Sequence, residues 1–363
     1  MNKVLRIILI PFSWLYGAVV FLYHKQFDLG IKKSVSFLIP VIAIGNLSTG
    51  GTGKTPLTEY LVGLLLPSFK TGVLSRGYRR KTKGYVVVED SKSYEETGDE
   101  PMQVKRKFPA AMVAVSESRV IGIVNMINDE PDLNVIVLDD AFQHRQVKPG
   151  LSLLITDFAH PYNRDILLPA GRLREPLSSA GRADALIISK CPASLDKAAR
   201  MKLKQEMAIG PSKPVFFSFL KYGVPYEMLN VAKKRNIEKG DQLLLICGIA
   251  NPEPLYNYLL QISSGVKMIR FRDHHAYTMQ ELMNIHSEFS ILPGPRKVIL
   301  TTEKDAVRLL PFKEYIVSQQ LEIYCMPVQA VFFEEDKAEF DRLITSFVQS
   351  FKPENNDIIK SAQ

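Results

Sequence analysis

Residues 41–60, VIAIGNLSTGGTGKTPLTEY, restrict the fold more than any other stretch of the chain. The apolar run 41–44 reads as a short buried strand. A glycine-rich turn follows (Gly45, Gly50, Gly51, Gly53), then Lys54 and Thr55, then an amphipathic helix from about Pro56. Strand, glycine turn, Lys-Thr and helix is the order of a phosphate-binding P-loop. Glycines let backbone N–H groups curl around phosphate oxygens, and the helix N-terminus adds its positive end. Gly50, Gly51, Thr52, Gly53, Lys54 and Thr55 therefore form the expected nucleotide site. Lys54 reaches the β- and γ-phosphates, and the Thr55 hydroxyl ligates Mg²⁺. Ser48 stands where the strict pattern has its first glycine. Pro56 suits a first helical turn, where its missing N–H costs little.

The run 135–140, VIVLDD, is the second strong signal: a buried strand ending in acid, about 85 residues beyond Lys54. This is the Walker B pattern, and Asp139 and Asp140 are the expected metal carboxylates. Strands at 71–74, 86–88, 111–115, 151–156 and 185–188, with helices between several of them, predict a mostly parallel sheet. Loops after these strands carry the candidate chemistry. Residues 76–83 hold five cations beside Gly77 and Tyr78, a plausible anion loop or an ordinary solvated turn. Asp99 lies on a loop bounded by Gly98 and Pro101, a good place for a catalytic base and a common place for a turn residue. In 168–176, LPAGRLREP, two arginines are placed to neutralise phosphate, or to pair with surface acids.

Composition narrows the partners. With 363 residues the chain has room for two domains, and its +8 charge and pI near 9.2 favour an anionic partner. Three scattered cysteines make neither a disulfide framework nor a metal motif, and fit a reducing cytosol. Residues 4–22 are almost continuously apolar, interrupted by Arg6 and Pro11 and flanked by Lys3, Lys25, Lys32 and Lys33. No small-residue cleavage site follows, so a signal peptide is disfavoured. A short, interrupted, lysine-flanked run favours a helix in the membrane interface over a single span or a helix buried on the domain.

A second strand–helix alternation begins beyond Gly210-Pro211, with 215–221 as a connecting strand. Strands are expected at 243–247, 266–271 and 297–301, helices at 253–262 and 278–289, and closing strands within 321–333. Residues 335–351 read as a terminal helix and 352–363 as a tail. The division is thus 1–30 membrane-associating helix, 31–212 P-loop core, 213–335 smaller α/β domain, and 336–363 helix and tail. Asp273-His274-His275 lacks further ligands at metal spacing, so proton transfer suits it better than zinc.

Taken together, GGTGKTP (50–56) after Gly45-Asn46, SRGY (75–78), GDEP (98–101), DDAFQHR (139–145), LPAGRLREP (168–176), FRDHH (271–275) and TEKD (302–305) give a further constraint. In this order the chain resembles the tetraacyldisaccharide 4'-kinase (lipid A 4'-kinase) family of P-loop kinases, over about residues 1–310. Ala141 and Leu173 depart from the family pattern, and neither brings a side chain to the chemistry. The resemblance implies ATP-dependent phosphorylation of the 4'-hydroxyl of a tetraacyldisaccharide 1-phosphate, yielding lipid IVA. It implies an α/β/α P-loop domain, a smaller α/β domain across a cleft, and attachment to the cytoplasmic face of the inner membrane. It further implies Lys54 and Thr55 on MgATP, Asp139 and Asp140 on Mg²⁺, and Asp99 as the base paired with His274. Arg76, Arg119, Gln143, Arg174 and Glu175 would line the cleft around phosphates and sugar. A buried histidine partner is expected to raise the proton affinity of the Asp99 pair, which then titrates as a unit.

Two other classes are weaker. A P-loop GTPase switch or metal-delivery protein wants N-K-x-D, which Ser189-Lys190-Cys191-Pro192 matches poorly. A nucleic-acid ATPase wants a cationic stripe with interleaved aromatics, and the cations cluster instead at the N-terminus and loops. The expected partners are the lipid substrate and an anionic membrane surface, without nucleic acid, for a monomeric enzyme.

Overall fold

The computed structural model describes residues 3–210 and 212–353. Pro211, at the expected domain boundary, and most of the expected tail lie outside the described residues. The chain opens with α1 (Lys3–Asp28), then β1 (Val41–Gly45), α2 (Lys54–Leu65), β2 (Thr71–Ser75), β3 (Val86–Val87), α3 (Tyr94–Thr97) and α4 (Asp99–Lys107). Next come β4 (Met112–Val115), α5 (Arg119–Asp129), β5 (Val135–Leu138), β6 (Leu151–Asp157), β7 (Ala185–Ser189), α6 (Lys197–Glu206) and β8 (Val215–Tyr222). The second half holds β9 (Tyr226–Glu227), β10 (Gln242–Cys247), α7 (Glu253–Ile262), β11 (Gly265–Arg270), α8 (Met279–Ser290), β12 (Lys297–Thr302) and α9 (Glu303–Leu309). It closes with α10 (Lys313–Ser318), β13 (Ile323–Met326), β14 (Val328–Phe332) and α11 (Glu334–Ser350).

Among the described residues the strands form a nine-stranded sheet in the order β14-β8-β7-β6-β1-β5-β2-β4-β3, and a five-stranded sheet in the order β11-β10-β12-β13-β9. Pairing is parallel except where β14, β3 and β9 close the edges. Parallel strands covered on both faces need continuous apolar runs rather than alternation. β1 and β5 accordingly consist of wholly buried residues. One face packs Ile42, Ile44 and Val137 under Leu57 and Leu61 of α2 and Phe340 and Ile344 of α11. The other packs Val41, Ala43 and Ile136 under Ile123 and Met126 of α5. The P-loop strand β1 lies beside the acidic strand β5, so both loops open at one edge of the sheet.

Three placements differ from the sequence expectation. The stretch at 215–221 is an inner strand of the large sheet, between β7 and β14, instead of a connector. Only β13 of the two closing strands stays in the small sheet, while β14 returns to pair with β8. Both ends of the span 213–335 thus belong by pairing to the large sheet, because the edge of β8 offers unpaired backbone groups. Asp99 is the first residue of α4, not a loop residue: Gly98, at φ 94, turns the chain sharply into the helix.

The helix α1 is long and apolar enough to cross a membrane. One side docks on the large domain. Ser13 Oγ donates to Leu167 O (2.9 Å) and accepts from Ala170 N (3.0 Å), and Tyr16 Oη donates to Arg174 O (2.8 Å). Gly17 sits where a Cβ would meet Leu167 at 2.7 Å. Arg145 holds the far end, bonding His24 O and Asp28 Oδ1. The other side leaves Ile7, Ile8, Phe12, Trp14, Leu15, Val19 and Leu22 exposed, Trp14 by 73%.

Candidate active site

At the nucleotide end, Gly53 adopts φ 90 and precedes α2 with no side chain capping it, leaving the first N–H groups to a ligand. The buried Asn46 organises the loop. Its Nδ2 donates to Ser48 O (2.7 Å) and Thr52 Oγ1 (3.0 Å), and its Oδ1 accepts from Lys54 Nζ (3.2 Å) and from Arg174. Ser48 explains itself here. It pairs in extended form with Leu173, and Thr49 N donates to Arg172 O, so no glycine is required. Ser189 Oγ donates to Thr52 O (2.6 Å), and Lys190 ties Gly51 O to Asp157. Gly45 admits no Cβ, since one would lie 2.6 Å from Phe142 N, and this seats the P-loop strand against the DDAFQHR turn.

Asp139 and Asp140 follow β5 with opposite electrostatics. Asp140, at φ 48, faces Arg174 Nη2 (3.0 Å) and Lys54 Nζ (3.6 Å). Burial works against its charge, but the Lys54 and Arg174 cations outweigh it and hold the carboxyl down at about 2. Asp139 is buried and accepts a hydrogen bond from Thr58 Oγ1 (3.1 Å). Burial, then the charges of Glu100 and Asp140, push its pKa up. A buried carboxylate repelled by two others leaves the site short of positive charge. With the Thr55 hydroxyl, these hard oxygen donors suit Mg²⁺, which also keeps waters and phosphate oxygens as ligands.

The other residues expected around the substrate separate into two groups. Arg174 and Gln143 face the P-loop: Arg174 Nη2 and Gln143 Nε2 both donate to Asn46 O, at 3.0 and 2.9 Å. Gln143 Oε1 is buried without a hydrogen-bond partner. Arg76 is exposed at the same mouth, close enough to lower the pKa of Arg119 and His144. Arg119 and Glu175 do not line an open cleft. Arg119 is fully buried, its guanidinium bracing Ser116 O (2.6 Å) and Asp139 O (3.2 Å). Glu175 is buried beneath α1, bonded by Arg182 and 3.4 Å from His24 Nε2. Adjacent residues of an extended loop point to opposite sides, so Arg174 takes the cleft and Glu175 the helix.

The Asp99 cluster joins the two sheets. Asp99 Oδ2 lies 2.8 Å from His274 Nδ1 and 3.4 Å from Arg308 Nε, and Oδ1 accepts from Glu100 N (3.0 Å). His274 holds a left-handed φ of 58, with Tyr78 edge-on at 5.3 Å. His275 turns away, 3.0 Å from Glu281 and stacked on Phe271. Lys304 Nζ reaches Glu100 Oε1 (2.9 Å) and His274 Nε2 (3.1 Å). The expected rise in Asp99 basicity is not found. Burial pushes the pKa up, but the His274 hydrogen bond and the Lys304 and Arg308 cations overcome it and hold it below the usual carboxylate value. Asn46, Glu100, Lys304 and Arg308 escaped the sequence reading. All but Arg308 lie within the quoted motifs, so the signal was there. A cavity of about 800 Å³ between residues 34–43 and the end of α11 includes none of these groups.

The sequence profile of the family described as Tetraacyldisaccharide-1-P 4'-kinase matches residues 5–349. The tetraacyldisaccharide 4'-kinase of Phocaeicola vulgatus is 40% identical over 355 residues, covering 96% of each chain. That of Flavobacterium johnsoniae is 39% identical, covering 96% of this chain and 98% of its own. Among solved structures, LpxK from Aquifex aeolicus, crystallised with ATP, superposes with a TM-score of 0.74 at 30% identity, covering 95% of this chain and 99% of that one.

Proposed function

The chain belongs to the tetraacyldisaccharide-1-phosphate 4'-kinase family, and from that premise we propose how its own residues carry out the reaction. It is an ATP-dependent kinase that phosphorylates the 4'-hydroxyl of the lipid A precursor. The observation that carries the residue assignment is the Asp99–His274 contact of 2.8 Å. It sets an ionised carboxylate from one domain against a histidine from the other, with Glu100 near enough to Asp139 to raise its pKa.

The P-loop N–H groups and Lys54 hold the phosphates of ATP, while Arg174, Gln143 and Arg76 meet phosphate and sugar. Asp139, Asp140 and Thr55 would hold Mg²⁺, which when bound neutralises charge on the β- and γ-phosphates. Asp99 accepts the proton of the 4'-hydroxyl. Its low pKa is no obstacle, because a loose transition state makes the hydroxyl acidic only late. Catalysis then rests on positioning and charge neutralisation. Arg119 and Glu175 support the site from behind.

The enzyme works at the cytoplasmic face of the inner membrane, with α1 lying in the interface. Contacts from Ser13 to Asp28 hold that part of α1 along the protein surface, which a perpendicular span would break. Its apolar side and Lys25, Lys32 and Lys33 then meet acyl chains and anionic head groups. Four acyl chains leave a bilayer only at roughly 0.8 kcal/mol per CH₂, so the enzyme must come to its substrate. The dock on 165–174 sets the membrane surface beside Arg174. The decisive assay is ³²P transfer from ATP to the tetraacyldisaccharide 1-phosphate, comparing wild type, Lys54→Ala and Asp99→Ala. Absence of transfer by wild type overturns the function, and undiminished transfer by Asp99→Ala overturns the base.

A further inference from the structure

The cavity of about 800 Å³ lies between the return from β5 to β6 (141–150) and the end of α11, and neither Lys54, Asp140 nor Arg174 lines it. It reaches the starts of β1, β6 and β7 at Val41, Gly150 and Asp184, whereas the P-loop follows the end of β1. Its apolar lining comes from three segments: Phe37 and Ile39 ahead of β1, Val147 on the return, and Phe347 and Phe351 of the α11 end. Phe347 can sit there because residue 150 is glycine, where a Cβ would lie 2.6 Å from its ring. The opposite wall is tied in place. Val35 N donates to Gln146 O and Lys148 N to Val35 O, both at 2.8 Å, and Ser34 Oγ donates to Arg145 O (2.6 Å). A volume of this size falls within the roughly 300–1,000 Å³ of small-molecule sites. Among the described residues that line it, four cations, Arg145, Lys148, Arg182 and Lys352, accompany one carboxylate, Asp184, which accepts from Ser152 N (2.8 Å). Asp28 holds Arg145 and Glu175 holds Arg182, while Lys148 and Lys352 are exposed at the rim. Burial, then the Arg119 and Arg76 cations, hold His144 down at about 4, so its ring adds no charge near neutral pH.

The same arginines join the cavity to α1. Arg145 donates to His24 O (3.0 Å), and Arg182 Nη1 lies 3.2 Å from His24 Nδ1. Lys32 and Lys33 then lead directly into the wall at Ser34. With Tyr16 on Arg174 O and His24 on Arg145, α1 runs from the loop of Arg174 to the lip of the cavity, its apolar side outward. We propose that the cavity is a second lipid site, which takes one acyl chain of an anionic membrane lipid, seats its phosphate on the cationic rim, and so tethers the far end of α1 to the membrane. This goes beyond the kinase reaction and rests on the reading of α1 as an interfacial helix. An apolar slot with a basic lip at the end of such a helix matches an amphiphile at both ends. A nucleotide or sugar would leave the phenylalanines unmatched, and a neutral lipid the lysines. A chain that moves from bilayer to cavity exchanges one apolar medium for another. Selection therefore falls on the head group, through the rim charges.

The probe is phosphatidylglycerol with a photoreactive diazirine on one acyl chain, mixed with the full chain in detergent micelles, irradiated, and mapped by mass spectrometry. Wild type is compared with Ser36→Trp, which fills the cavity, and with the double variant Lys148→Glu/Lys352→Glu. Labels in wild type should fall on 34–43, 141–150 and 347–352 as well as on α1. Ser36→Trp should lose the cavity labels and keep those on α1. The double variant should lose about tenfold or more of the cavity labelling, to the level given by a phosphatidylcholine probe. Labels confined to α1, or equal cavity labelling by the two probes, overturn the proposal. So does displacement of the cavity labels by tetraacyldisaccharide 1-phosphate, which would assign the cavity to the substrate. Labelling that appears only after residues 354–363 are removed also overturns it, since the chain's own end would then be the occupant. Should Ser36→Trp not fold, the comparison of probes and the competition decide in wild type alone. Wild type that does not sediment with phosphatidylglycerol vesicles rejects the interfacial helix and the tether with it. Sedimentation without cavity labels rejects the lipid site alone, so the two failures are distinct.

Discussion

Lys54, Asn46, Arg174 and Asp140 meet at the mouth of a single sheet, whereas Asp99, His274 and Lys304 meet only where the two sheets' domains touch. Every member of the first cluster lies just beyond β1 or β5, at the start of α2 or in the loop at 168–176, so the large domain assembles this cluster by itself. The second cluster depends on the docking of α9 against α4. That contact is held by Val307 inserted into the first domain's core, by Lys304 on Glu100, and by Arg106 on Met228 O. A fourth tie is the triad in which Lys107 Nζ donates to Glu59 (2.7 Å) and Glu303 (3.0 Å). The P-loop cluster is preassembled, and the Asp99–His274 pair, the proposed base, is completed only by the second domain. ATP binding and proton acceptance should therefore be separable by mutation.

Asp99→Ala breaks the comparison most sharply. It should lower kcat by about 10²–10⁴ with the Kd for ATP unchanged, as single-turnover kinetics and nucleotide titration would show. A parallel loss of ATP affinity would mean that the two ends are not independent. Lys54→Ala should cost roughly 10²–10³ in kcat and also weaken ATP binding, while leaving the His274 nitrogen spectrum as in wild type. Replacing Ile8, Trp14 and Leu22 by serine alters only the exposed side of α1. Each large side chain withdrawn from lipid forfeits about 1.5–3 kcal/mol, so vesicle partition should fall at least tenfold. Turnover on a short-chain, water-soluble acceptor should be kept, and equal vesicle binding by both proteins would reject the interfacial role.

The smallest effect is in stability. Burial first, then Glu303, push the Glu59 carboxyl up to about 7 against the pull of Lys107. The folded chain keeps a proton that the unfolded chain releases near 4.5, so stability should decline as pH rises from about 4.5 to about 7. Glu59→Gln should remove that decline, worth on the order of 1–3 kcal/mol, measured by thermal melts at pH 5 and 8. Equal slopes in both proteins would show that the triad does not titrate on unfolding.

Much of the donor end was legible because its signals are contiguous. A fully buried β-run, a glycine at positive φ and a Lys-Thr at a helix start are all written within residues 41–60. Ser48 shows the limit: its place is set by pairing with Leu173, which lies in a loop more than a hundred residues on. Asn46 was visible as part of a signature and not as the hub of the loop, since its five partners, Ser48, Thr52, Lys54, Gln143 and Arg174, come from three separate segments.

By itself the sequence determined the P-loop, the acidic strand beside it, the parallel alternation and an apolar helix with basic flanks, because periodicity and burial are local properties of a chain. Tertiary structure alone decided that β14 returns to the large sheet, that Glu175 turns under α1 while Arg174 faces Asn46 and Asp140 of the P-loop mouth, and that Lys304 meets His274. It also chose His274 over His275 for Asp99, across 175 residues of sequence. Those choices depend on which edge of a sheet is free and which side of a loop faces a neighbour. Such facts arise only when distant segments pack together.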